Sequence, residues 1–174
     1  IALQASRESR LLEAVQLLFS LPFSEFKRRD LLKLLTHPNL VASHPEADPE
    51  EWLAWCDELD ILHGADRSDH RGTYIDEDLY NWDQGLKRLV LGAFMADDAR
   101  SMEGSGVFEL GDYAYLPQEL SSSAVPGAAR LVKTARSLIG EARRMRDREQ
   151  SLEGWADDLA SWARKHLAPA EGDQ

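Results

Sequence analysis

Nonpolar residues recur every three or four positions along most of this chain, and the breaks between the periodic runs divide it into about six predicted helices. The broadest nonpolar face belongs to the run from Asn81 to Asp97, where Leu86, Leu89, Val90, Ala93 and Phe94 fall at helical spacing. Leu91 and Met95 widen that face, which predicts a central helix with neighbours on more than one side. Its expected core residues are Trp82, Leu86, Leu89 and Phe94. Gly92 sits between large side chains at a cost of about 1 kcal/mol relative to alanine, which predicts a close helix crossing there. Asn81 is placed to cap the helix, and Asp83 suits its first turn.

The remaining runs follow in order. Leu3 to Leu21 forms a first helix that Pro22 ends, because proline lacks the amide a helix interior needs. Ser24 is the expected N-cap of a second helix running through Phe26 to Leu35, stopped by Pro38. Asp48, Pro49 and Glu51 open a third, which packs through Trp52, Leu53, Trp55, Cys56 and Leu59. After Ala99 the pattern fades into a loop excursion with one short extended piece at Val107 to Leu110. A long helix then runs from Val125 or Pro126 to Arg148, and Ser151 caps a last one that Pro169 terminates. The expected fold is all-α: an irregular multi-helix domain over residues 1–168, cut from a larger subunit, with 169–174 as a flexible tail.

Charge changes the picture unevenly. The net charge is −11, yet residues 1–42 hold four acidic and six basic residues, 43–112 eighteen and five, and 113–174 nine and nine. That balance argues against generic duplex binding by this chain alone, while leaving room for a local basic face within an assembly. The long basic helix supplies the candidates: Arg136, Arg143 and Arg144 would contact either phosphate or a partner subunit, and the acidic surroundings favour the subunit. No nonpolar run approaches the ~20 residues that span a bilayer. The single cysteine, Cys56, cannot form an intrachain disulfide, which fits a reducing cytoplasm.

Catalytic chemistry is harder to find. His63, Asp66, Asp69, His70 and Asp76 are suitable metal donors, but they match neither calcium-loop nor HExxH spacing, and a solvated connector over Ile61 to Tyr80 is the better reading. Cys56 has no histidine beside it and reads as packing. Gly104 and Gly106 lack the third glycine of a dinucleotide loop, and no GxxxxGK[ST] sequence occurs. Lys87 and Arg88 would touch phosphate, or Arg88 would hold an acidic turn or an interdomain surface; Tyr113 and Tyr115 would stack on a base or, the better default, pack on the helical body. No catalytic, cofactor-binding or metal-binding residue is predicted.

Three segments carry a resemblance: HPNLVASHPEADPEEWLAWCDELDILHGAD, YNWDQGLKRLVLGAFM and SLEGWADDLASWARKHL. Within the second, Trp82, Gly85, Leu86, Arg88, Leu89, Leu91, Gly92 and Met95 carry the match. In this order they resemble the gamma subunit of exodeoxyribonuclease V, the RecC family, over roughly residues 31–168. The resemblance implies the helical accessory domain often called 2B, within a subunit that has lost its ATPase motifs and helps to split and guide DNA. It implies RecB-like and RecD-like partner subunits, DNA reached through the assembled complex, and ATP and Mg²⁺ for the parent assembly only. A related AddB-type or UvrD-like helicase-nuclease is the alternative parent.

Overall fold

The computed structural model describes residues 2–75, 77–95 and 106–170, without the side chains of 2–9 and 110. Asp76, Gly104, the end of the predicted central helix at Asp97 and most of the predicted tail therefore lie outside the described residues. Seven α-helices are present among them: α1 (Ala2–Ser20), α2 (Arg28–Leu35), α3 (Pro38–Val41), α4 (Pro49–Glu58), α5 (Trp82–Met95), α6 (Val125–Arg146) and α7 (Leu152–His166). Strands β1 (Phe108–Leu110) and β2 (Tyr113–Tyr115) pair antiparallel, with Glu109 opposite Ala114. The fold is mainly helical, with this small hairpin where one extended piece was expected. No helix among the described residues is long and apolar enough to cross a membrane.

Two helix boundaries differ from the sequence reading. Ser24 does not cap α2: its hydroxyl donates to the Leu21 carbonyl (2.9 Å), closing a 3-10 turn over Leu21–Phe23. Phe26 takes a positive φ of 47°, and α2 begins only at Arg28. Pro38 does not merely stop a helix. It stands at the first position of α3, where its missing amide costs nothing, and His37 Nδ1 caps that helix by accepting the Asn39 amide (3.2 Å).

The contacts divide into two compact units, residues 1–49 with 135–174, and residues 50–134. Residues 125–134 of α6 belong to the second and 135–146 to the first. In the first unit α1 packs against α2, α3 and α7, around Ala14, Leu18, Leu31, Leu34, Leu35, Leu138, Ala142 and Trp162. The second unit closes over Trp52, Cys56, Leu59, Ile61, Trp82, Leu86, Leu89, Tyr115 and Leu131, all buried.

In the second unit α5 is held tightly along one side. A Cβ on Gly85 would fall 2.6 Å from Ile61 Cγ1, and one on Gly92 would land on the Gln118 carbonyl oxygen. The close approach at Gly92 is thus made by an extended strap rather than by a crossing helix. Its Gln118 amide donates to the Arg88 carbonyl (3.0 Å).

Candidate functional site

In the second unit, residues 61–80 form a self-braced connector. Asp66 accepts the Ser68 amide (2.8 Å), and Asp69 accepts that of Ala65 (2.7 Å). His70 is fully buried, and its Nε2 lies 3.0 Å from the His63 carbonyl, so that nitrogen carries the proton and donates. Among the described residues no three acidic, histidine or cysteine side chains gather in a metal-ligating group. Three of the five predicted donor candidates are instead occupied in shaping the connector.

The connector is tied to α5 and β2 by one polar cluster. Asn81 Oδ1 caps α5 by accepting the Gln84 amide (2.9 Å), while its Nδ2 donates to Asp78 (2.9 Å). Tyr115, buried in β2, donates to the other Asp78 oxygen (3.1 Å) and accepts from Lys87 Nζ (3.3 Å), which is also paired with Asp83 at 2.6 Å. Burial pushes the Tyr115 hydroxyl above the ordinary tyrosine range. Burial alone would depress Lys87, but its bonds to Asp83 and Tyr115 outweigh that and hold its pKa above the ordinary lysine value. Arg88 donates to the carbonyls of Leu116 (2.8 Å) and Leu59 (3.2 Å). Lys87 and Arg88 are therefore brackets within the unit, Lys87 on acidic and phenolic side chains and Arg88 on backbone carbonyls rather than on an acidic turn.

The far part of α5 is different. Leu89, Val90, Ala93 and Phe94 face Val125, Ala128, Ala129 and Val132 of α6 across a groove of about 460 Å³, with Lys133 the one charged lining residue among the described residues. Trp82, Leu86 and Leu89 are fully buried, whereas Phe94 is 81% exposed on the groove wall. The expectation that Phe94 belongs to the core is overturned, because its position on α5 lies where the helix has no described neighbour to cover the ring.

In the first unit the arginines of α6 do not form one face. Arg136 is exposed. Arg143 and Arg146 each place their guanidinium carbon 5.9 Å from the centre of the buried Phe26 ring, within cation–π range. Arg144 is exposed and lies 3.6 Å from Glu141. Glu141 also receives Lys165 and His166, the latter at 2.7 Å, and Lys165 donates to Ser137 (3.1 Å). Burial lowers the His166 pKa despite that carboxylate. For Glu141, burial would raise the pKa, but the bonds from Lys165 and His166 outweigh it and leave the carboxyl below its ordinary value.

The same helices bound a cleft of about 260 Å³ lined by Arg144, Met145, Arg148, Asp158, Trp162 and Lys165. Arg148 is paired with Asp158 at 2.7 Å, so most of the cleft's charge is neutralised internally. The end of α7 is pinned to α3: the Asn39 side chain donates to the Ala168 carbonyl (3.0 Å), and the Ala168 amide donates back to the Asn39 carbonyl (2.8 Å).

Sequence reasoning missed Glu141, His166 and Asn39. His166 carried a signal, since it stands four residues after Trp162 on the packing stripe of α7, where a polar side chain needs a partner. Phe26 with Arg143 and Arg146 carried none, because more than a hundred residues separate them.

No curated protein and no solved structure matches the chain. Residues 8–174 match the family model of the fourth domain of RecC, a subunit of the RecBCD enzyme. The chain belongs to the RecC fourth-domain family of RecBCD subunits.

Proposed function

We propose that this chain is a noncatalytic accessory domain, of the kind called 2B, in a cytoplasmic RecC-like subunit. It supports ATP-dependent DNA unwinding and degradation in double-strand-break repair and recombination. It does so by packing against the subunit's other domains and against RecB-like and RecD-like partners. The observation that carries this reading is the family match over residues 8–174. The groove between α5 and α6 supports the packing role, since an exposed phenylalanine on an otherwise apolar wall is more characteristic of a contact surface than of free solvent. Arg136 and Arg144, both exposed on α6, are the proposed subunit contacts.

ATP and Mg²⁺ belong to the parent assembly in this reading. The purified chain is expected neither to hydrolyse ATP nor to cut linear DNA with Mg²⁺ present. Replacing the domain by a short linker in the full subunit is expected to abolish complex assembly. Turnover that copurifies with the chain and disappears on substitution of His63, Asp66 or Asp69 would overturn the proposal, as would full assembly of the linker variant.

A further inference from the structure

The division into two units divides the charge. By sequence, residues 50–134 hold seven basic and seventeen acidic residues, a net −10. Residues 1–49 with 135–174 hold thirteen and fourteen, a net −1. The acidity that argues against DNA contact therefore belongs to the second unit, and the first is nearly neutral.

Within the first unit the positive charge is gathered. Lys27, Arg28 and Arg29 are consecutive, and the residue before them, Phe26, lies against Arg143 and Arg146. One ring thus ties five cations from two distant stretches of chain into one neighbourhood. Lys27 stands at the N-cap of α2, with Arg28 and Arg29 as its first two residues, and no side chain caps that end. This is the end of a helix that repels cations, so local stability does not account for the placement. Nor does it account for the left-handed backbone of Phe26, a conformation that bulky side chains rarely adopt.

Among the ion pairs of this patch are Lys27 with Glu25 (2.8 Å), Arg29 with Asp30 (3.3 Å) and Arg146 with Asp147 (3.4 Å). In each, the acid lies within two residues of its cation and at least one partner is well exposed to solvent, the kind of ion pair that contributes little and yields to a better anion.

We propose that Lys27, Arg28, Arg29, Arg143 and Arg146 form a surface that holds the phosphate backbone of DNA in the assembled complex. This rests on the accessory-domain reading and adds the ligand and the residues that meet it. Arginine forks suit phosphate oxygens. Contacts of this kind position a strand without reading its sequence.

The test uses the complete complex with Arg29→Gln and Arg146→Gln, which change exposed side chains. Binding to a 30-base-pair duplex and to a 30-nucleotide single strand is measured across a salt series, with Arg164→Gln, an exposed arginine of α7, as a control. The double variant is expected to assemble normally and to lose about 1.8 from the slope of log affinity against log salt on duplex, or about 1.4 on the single strand, with Arg164→Gln unchanged. An unchanged slope in an intact complex would overturn the phosphate surface and leave the accessory role standing. Assembly lost before DNA is added would show that the patch meets protein instead. As a second measurement, 4-thiothymidine-containing DNA bound to the unaltered complex is expected to crosslink within 23–29 or 143–148. Crosslinks confined to other domains would count against the proposal. Failure of the accessory reading is seen separately, as turnover by the isolated chain or as assembly without it.

Discussion

Phe94 and Leu86 lie on the same helix, eight residues apart, and periodicity alone treats them alike. The structure separates them: Leu86 is sealed and Phe94 is 81% exposed. Leu86→Ala should therefore destabilise the chain by about 2–5 kcal/mol, since it loses transfer free energy and leaves a cavity. Phe94→Ala should stay within about 0.5 kcal/mol in the isolated chain, as surface substitutions do. Urea unfolding of both variants checks the pair, and a loss of several kcal/mol at Phe94 would mean that its ring is covered. The sequence could place Phe94 on a nonpolar stripe, because the stripe is local. It could not say where along the stripe the neighbours end, because that depends on α6, some thirty residues away.

At the scale of elements, helix existence was legible and helix contact was not. Asn81 and Ser151 cap α5 and α7 as their positions predict, with Ser151 accepting the Gly154 amide at 3.2 Å. Ser24 fails as a cap because the chain spends it on a 3-10 turn before α2 starts. Gly92 announced a close approach, but periodicity could not reveal that the approaching backbone is the strap at Gln118. That strap makes Gly92→Ala a specific probe. Alanine is the better helix former by about 1 kcal/mol, so an open site would gain stability from the change. Here the new methyl meets a backbone carbonyl, and the strap has to move, so a net loss of about 1–3 kcal/mol is expected. Hydrogen exchange should show the Gln118 amide, bonded to the Arg88 carbonyl, losing protection first. Unchanged or increased stability would show that the strap is not fixed against α5.

At the scale of the molecule, each unit carries one polar cluster, and the two clusters respond to opposite ends of the pH range. In the first unit, burial makes His166 bind its proton less tightly than an unfolded histidine with its ordinary value of 6.5. Its contribution is complete above that value and declines as pH falls below it, because the unfolded chain then takes up the proton more readily. Glu141 has a folded pKa below its ordinary 4.5, so its contribution is also lost on acidification, as pH falls through the depressed value. In the second unit, Tyr115 and Lys87 both have folded pKa values raised above their ordinary 10.0 and 10.5. Their contribution is full below about pH 10 and is lost as pH rises through the raised values. Stability should therefore hold a plateau from about pH 7 to 10, with acid loss arising around Trp162 and alkaline loss around Trp82, the buried indoles nearest each cluster in sequence. Nuclear magnetic resonance of the two indole signals during titration reads the units separately. Glu141→Gln should remove the part of the acid response that lies below about pH 4.5 and, by taking away the carboxylate that raises His166, deepen the part that begins below 6.5; Tyr115→Phe should shrink the alkaline response. If the Trp82 signal fails first on acidification, or if Glu141→Gln leaves the acid response untouched, the clusters are not the groups that set these limits.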